Sequence, residues 1–214
     1  MRAWFSLLAL LGAGALAGCI SVGLGGEPSA QVNYQLRDPH LAATARRDEP
    51  LVATLLIQPL PGDALADTLA VAYSRRPNEF SFYQFAFWTE RPVRQLPRTL
   101  QQRLEARHVV GAVGVVGDPL RADWLLTISV DTLHHDVSVA PGQARFALTA
   151  ELFERRSRTR IARHQFSANV PVAQADSAAA TVALSESVAQ AFDELLPWLE
   201  GELQRAAAAA PAAR

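Results

Sequence analysis

The chain contains a single cysteine, Cys19, and this limits how a domain built from it can be stabilised. With one thiol, neither an intramolecular disulfide nor a cysteine-ligated metal cluster can form. The fold must therefore depend on a packed core, and 50% of the 214 residues are hydrophobic, which is enough to form one. A chain of this length is typical of one domain. The formal net charge of −1 provides no basic surface, so no nucleic-acid partner is expected.

The N-terminal residues have the pattern of an export signal. Arg2 is followed by a short apolar run at residues 3–11 and then by a Gly-rich stretch. The run is shorter than the ~20 residues of a transmembrane helix, which favours a cleaved signal peptide over residues 1–18. Leu16-Ala17-Gly18-Cys19 resembles a lipobox, the motif whose cysteine receives lipid. That resemblance implies cleavage before Cys19 and attachment of acyl chains such as palmitate. The alternative is an ordinary secretory signal with a chance cysteine.

The residues around the cysteine also suggest where the folded part lies. Residues 19–31 are rich in Gly and small polar residues, which predicts a flexible tether. In the enterobacterial sorting rule, Asp after the cysteine retains a lipoprotein at the inner membrane, and here the residue is Ile20. We therefore expect an outer-membrane location facing the periplasm, with the inner membrane as the alternative. The folded domain is expected over residues 32–206, and a disordered Ala-rich tail over 207–214.

Hydrophobic periodicity and turn residues predict eight strands and two helices. The helices are expected at 90–107, where Leu96, Leu100 and Leu104 form one apolar stripe, and at 177–206. The strands are expected at residues 32–36, 51–57, 68–74, 80–87, 108–116, 123–133, 143–154 and 160–170. This order favours an α+β fold: a single two-layer domain with a twisted, mostly antiparallel sheet and both helices on one face.

The densest aromatic segment is FSFYQFAFW, residues 80–88. In a regular strand, Phe80, Phe82 and Trp88 share one face, and Tyr83, Phe85 and Phe87 share the other. Two interpretations remain open. The segment is either a central strand buried on both faces, or a strand with an exposed apolar patch for a protein partner or a lipid. On the second interpretation the candidate contact residues are Phe82, Tyr83, Phe85, Phe87 and Trp88.

His134, His135 and Asp136 form the densest group of possible metal ligands or acid–base residues. Neighbours on a strand point to opposite faces, so His134 and His135 cannot share a ligand sphere. His134 and Asp136 lie on the same face, but two ligands alone make a weak metal site. We interpret the segment as a solvated strand end and expect no metal or cofactor. The chain also lacks a nucleophile elbow, a phosphate-binding loop and a zinc-protease motif. We therefore predict no catalytic residues and no enzyme activity.

Several short motifs follow one another along the chain after the tether. Tyr34-Gln35-Leu36 comes first, one strand ends at Tyr73-Ser74-Arg75-Arg76, and an aromatic strand with Tyr83 ends at Phe87-Trp88-Thr89-Glu90. Pro92 and the leucine stripe of the first helix follow, and then the short strand Asp123-Trp124-Leu125-Leu126 and the RRSRT turn at 155–159. In these motifs the chain resembles the ABC-type transport auxiliary lipoproteins, the PqiC-like group that works with MCE-domain lipid transporters.

The resemblance implies a non-enzymatic auxiliary component, anchored through the lipid on Cys19. Such a protein would dock an MCE-domain protein of an ABC transport system and help lipids or other hydrophobic substrates move between inner and outer membranes. A homo-oligomer is compatible with the resemblance, since relatives assemble into rings. Two alternatives remain. One is a structural or assembly lipoprotein that partners an outer-membrane β-barrel. The other is a periplasmic hydrolase, which requires a serine, a histidine and an acid to converge in space.

Overall fold

Eight strands and two helices form the domain in a computed structural model, which describes residues 30–209. The predicted signal peptide, Cys19 and the tether up to residue 29 lie outside the described residues, as do residues 210–214. The strands are β1 (Val32–Tyr34), β2 (Val52–Pro59), β3 (Ala70–Arg76), β4 (Glu79–Trp88), β5 (Val110–Val115), β6 (Trp124–Asp136), β7 (Gln143–Glu154) and β8 (Thr159–Pro171). The helices are α1 (Pro92–Arg107) and α2 (Ser177–Ala209), and short 3-10 helices span Leu41–Ala43 and Ala64–Asp67. Each predicted strand and helix is present, with ends that differ by a few residues.

Strand β6 organises the sheet. Strand β7 pairs with it along its whole length, whereas its other edge is shared by β2, at residues 124–128, and β3, at residues 135–136. The strand order is β1-β4-β3-β6-β2-β5, with β7 beside β6 and β8 beside β7. The pairs β3–β4, β6–β7 and β7–β8 are antiparallel hairpins, and the other pairings are parallel. The predicted α+β single domain is confirmed. Its sheet is mixed because β2 and β3 both run parallel to β6.

Both helices lie on the same face of the sheet. Helix α1 packs against β2 and β5, and helix α2 packs against β7 and β8. The predicted leucine stripe of α1 is buried, as are alternate residues of β7 such as Phe146 and Leu148. The residues that alternate with the buried ones, such as Thr149 and Glu151, point to the face without helices, which we call the open face. The predicted two-layer arrangement is therefore confirmed.

A buried ion pair joins the two helices to the loop after β1. Arg103 of α1 donates from Nε and Nη2 to the carboxylate of Asp38, at 2.5 and 2.9 Å, and from Nη1 to Asp193 of α2, at 2.7 Å. The side chains of Arg103 and Asp38 are almost fully buried. Burial opposes the charged guanidinium, but the hydrogen bonds to Asp38 and Asp193 outweigh it and raise the pKa of Arg103 above its ordinary value.

Candidate functional site

Most of strand β4 has a partner on one side only. Its first residues pair antiparallel with β3, for example Phe80 with Ser74 and Phe82 with Ala72. On its other edge, β1 is three residues long and pairs only with residues 86–88. Among the described residues, no strand pairs with that other edge of residues 79–85. This segment, which we call the aromatic edge, therefore offers unpaired backbone N–H and C=O groups to solvent or to a partner.

Three phenylalanines of the aromatic edge are exposed. Phe80, Phe82 and Phe85 retain 46%, 47% and 42% of their accessible surface. Phe80 and Phe82 lie on the open face of the sheet, and the Phe80 ring meets the His134 ring edge-on at 5.1 Å between centroids. Scattered exposed apolar residues are ordinary, but three aromatic rings on one unpaired edge form an exposed apolar patch, a feature that is common at contact sites. Phe80 is absent from the sequence-based candidates, although its alternation with Phe82 was a signal that could have identified it.

The C-terminal part of β4 differs from the aromatic edge. Trp88 is 3% exposed and belongs to the core, and its backbone N–H donates to the carbonyl of Leu69 at 2.6 Å. The register with β3 moves from Ala72–Phe82 to Ala70–Phe87, so β4 contains extra residues between these pairs. Such a bulge breaks the two-residue alternation, and it corrects the prediction that Trp88 shares a face with Phe80 and Phe82. The aromatic segment is thus exposed in its first part and buried at its end, where β1 covers it.

Tyr83 is partly buried and belongs to a hydrogen-bonded chain under the aromatic edge. His135 Nε2 donates to the carbonyl of Pro141 at 2.9 Å, so its Nδ1 accepts from the Tyr83 hydroxyl at 2.7 Å. His135 is fully buried, and the interpretation of this segment as a solvated strand end is therefore wrong. Burial raises the pKa of Tyr83 to about 12 and lowers the pKa of His135, so both groups are neutral at physiological pH.

We expect the protein to lose stability through His135 as the pH falls below 6.5. The pKa of His135 in the folded protein lies below the ordinary value of 6.5, so the unfolded chain binds a proton first and the free energy of unfolding decreases. The His135→Gln variant cannot titrate there and should show a weaker dependence. Urea unfolding of both proteins at about pH 8 and about pH 5 measures the difference. His40, whose pKa is raised by its hydrogen bond to Asp193, contributes equally to both proteins. An equal decrease in the free energy of unfolding of both proteins would contradict the attribution of the pH dependence to His135.

Two other histidines, His40 and His108, contact polar atoms of neighbouring residues. His40 Nδ1 lies 2.7 Å from Asp193 Oδ2, and His108 Nδ1 lies 3.1 Å from the carbonyl oxygen of Arg47. Within residues 30–209, no group of three or more His, Cys, Asp or Glu side chains is placed to hold a metal ion. In the same part of the chain, no helix combines the length and apolar character needed to cross a membrane.

Comparisons with known proteins agree with this architecture. The family model of the ABC-type transport auxiliary lipoprotein component matches residues 34–195. The crystal structure of protein XCC0632 from Xanthomonas campestris is 21% identical, with a TM-score of 0.71, and the match covers 83% of this chain and 99% of that one. Another solved structure, of an uncharacterized protein, is 17% identical with a TM-score of 0.61 and covers 79% of this chain and 99% of its own. At these identities the two structures show the fold alone. No curated protein matches the chain.

Proposed function

The chain belongs to the ABC-type transport auxiliary lipoproteins, which makes it an auxiliary component of a transport system, and we propose that its aromatic edge docks the MCE-domain protein of that system. In this proposal a lipid on Cys19 holds the protein at the periplasmic face of the outer membrane. The transported substrates are lipids or other hydrophobic molecules that move between the two membranes. The protein contributes binding and positioning rather than catalysis.

The single observation that carries the proposal is the unpaired aromatic edge. A partner strand aligned with residues 79–85 would satisfy their free backbone groups, a mode of recognition known as β-augmentation. Phe82 and Phe85 would supply the apolar contact. Complete burial of an exposed phenylalanine is worth about 1.5–3 kcal/mol, and each of these half-exposed rings would contribute roughly half of that. In this proposal the two rings add apolar contact to the backbone pairing along the same segment.

The other free edges of the sheet do not combine unpaired backbone groups with exposed aromatic rings. Strand β8 pairs only with β7, and it carries the exposed Arg160 and Arg163, which discourage the approach of another strand. Strand β5 pairs only with β2 and contains Gly111 and Gly114, which offer no side chain to a partner. Of the described free edges, the aromatic edge is thus the one with exposed aromatic side chains.

Replacing Phe82 and Phe85 with serine should weaken capture of the MCE-domain protein about tenfold or more, since the two rings together contribute more than 1.4 kcal/mol. The measurement is crosslinking in the native envelope, followed by purification and quantitative mass spectrometry. The matched control is Val182→Ser on α2, because Val182 is largely exposed and lies away from β4. Neither change removes a fully buried side chain, so both proteins should remain folded, and the double variant should lose only a small part of its free energy of unfolding because both rings are about half exposed.

Three outcomes would contradict the proposal. Recovery of a β-barrel without an MCE-domain protein would favour the assembly role. Undiminished capture by the serine variant would remove the aromatic edge as the docking site. Equal loss of capture in the Val182→Ser control would show that the loss is not specific to the aromatic edge.

A further inference from the structure

The turn between β7 and β8 concentrates positive charge. Residues 151–163 contain two glutamates and five exposed arginines, which are Arg155, Arg156, Arg158, Arg160 and Arg163. The other described residues, 30–150 and 164–209, carry 13 arginines against 18 aspartates and glutamates. A domain that is otherwise acidic therefore has a basic surface at residues 155–163, which we call the basic tip.

The start of β8 is only partly neutralised. Glu151 Oε1 lies 3.1 Å from Arg160 Nη1 and 3.5 Å from Arg163 Nε, so one carboxylate faces two guanidinium groups. The side chains of both arginines remain more than half exposed. Positive charge therefore remains at the solvent surface of this part of the hairpin.

The turn itself carries guanidinium groups without a carboxylate partner. Arg155 Nη1 donates to the carbonyl of Ala122 at 2.9 Å, and the N–H of Arg155 donates to the carbonyl of Asp123 at 2.9 Å. These bonds fix the turn beside the start of β6 and leave the charge uncompensated. Within residues 30–209, no carboxylate lies at ion-pair distance from Arg155, Arg156 or Arg158.

Apolar surface borders the basic tip. Ile161 is 37% exposed and occupies the register shift between β7 and β8, where Phe153 pairs with Arg160 and Leu152 with Ala162. A groove of about 420 Å³ lies next to the turn and is lined by Leu125, Phe153, Glu154, Arg155 and Arg158. Its floor is thus apolar and two guanidinium groups stand at its rim, an arrangement that suits an anion with an apolar portion.

The chemistry of the basic tip favours phosphate groups at a lipid surface. Guanidinium groups bind phosphate oxygens through paired hydrogen bonds. A bilayer presents many phosphates in one plane, so several arginines can each reach one without a matched spacing. Basic residues beside apolar ones are also the pattern of protein surfaces that bind anionic membranes. An acidic protein segment would match the charge but would need carboxylates placed to fit each arginine.

We propose that the basic tip binds the phosphate groups of anionic phospholipids at a bilayer surface. Arg156 and Arg158 contact the phosphates, and Ile161 and the adjacent groove contact the apolar portion of the lipids. The inference goes beyond the proposed function, because it requires neither docking at the aromatic edge nor the lipid on Cys19.

The test is sedimentation with heavy vesicles. Full-length protein held in phosphatidylcholine nanodiscs is mixed with sucrose-loaded vesicles, made either of phosphatidylcholine alone or with a minority of phosphatidylglycerol. Vesicles that contain phosphatidylglycerol should sediment several-fold more protein than vesicles of phosphatidylcholine, after subtraction of empty nanodiscs. The difference should disappear at about 1 M salt, where the screening length falls to about 3 Å.

A double variant and a matched control locate the binding surface. Arg156→Gln with Arg158→Gln should weaken binding about tenfold or more, because each basic residue near an anionic bilayer contributes roughly fivefold in affinity. The control is Arg94→Gln with Arg98→Gln on α1, since both residues are exposed and their loss changes the net charge equally. The control should bind as the wild type does, and circular dichroism should show that both double variants are folded.

Three results would overturn the proposal. Equal sedimentation with both vesicle compositions would exclude anionic phospholipid and favour an acidic protein segment as the partner. An equal loss of binding in both double variants would show that net charge, rather than the basic tip, attracts the vesicles. Displacement from the vesicles by inorganic phosphate at constant ionic strength would identify a site for a free anion instead of a bilayer.

Discussion

Replacing Arg103 with methionine is expected to lower the free energy of unfolding by about 3–5 kcal/mol, the largest effect we predict for an ionic side chain in this domain. The substitution leaves the carboxylate of Asp38 buried and without the guanidinium that binds both of its oxygens. It also removes the contact with Asp193 that joins α1 to α2. Urea unfolding at neutral pH, followed by circular dichroism, measures the change.

Two variants distinguish the cost of an unpaired buried charge from a general effect of losing an arginine. Arg76→Met removes a guanidinium from the exposed pair with Glu79 and should change stability by less than about 1 kcal/mol. The double variant Arg103→Met with Asp38→Leu removes both charges and should recover much of the lost stability. A double variant as unstable as Arg103→Met would contradict the proposed cause.

Replacing Trp88 with alanine is expected to destabilise the domain by about 3–5 kcal/mol, because it removes a large side chain from the core and leaves a cavity. The effect arises where β1 and β3 both pair with β4, so we expect the whole domain to unfold at a lower urea concentration. On sequence grounds Trp88 is a candidate contact residue, and its burial makes loss of stability the expected effect instead.

The matched control for Trp88→Ala lies on the same strand. Phe82→Ala removes an aromatic ring that is about half exposed, and it should cost markedly less stability than Trp88→Ala. Similar losses of stability in the two variants would show that the aromatic edge is held in the core in solution. That result would also weaken the proposed docking surface.

The strands and helices followed from local patterns in the sequence. Leu96, Leu100 and Leu104 repeat at the helical spacing and form the buried stripe of α1. Strands are predicted on both sides of the RRSRT turn, at residues 143–154 and 160–170, and the structure pairs them as the β7–β8 hairpin. Hairpins are local, so their signals lie within a few residues of each other. The parallel pairing of β2 and β3 with β6 joins distant segments, and no local pattern indicated it.

The buried polar groups could not be predicted from local sequence patterns. Asp38 and Arg103 are 65 positions apart, and each stands in a segment that looks like an ordinary charged surface. His135 was interpreted as part of a solvated strand end, yet the β6–β7 loop folds back and Pro141 accepts its hydrogen bond. Each group also contacts a distant segment: Asp38 reaches Arg103 from the loop after β1, and Tyr83 reaches His135 from β4, 52 positions away.

The sequence by itself determined the number and kind of elements and the α+β class, and it supports the expectation of an export signal ending at Cys19. Only the tertiary structure decided which part of the aromatic segment is exposed. Strand β1 is three residues long and covers residues 86–88, and a bulge changes the direction of the side chains before them. Periodicity reports which side of an element is apolar, but it carries no information on the length of the neighbour that covers it. For this reason Trp88 lies in the core while Phe82 and Phe85, on the same strand, face solvent.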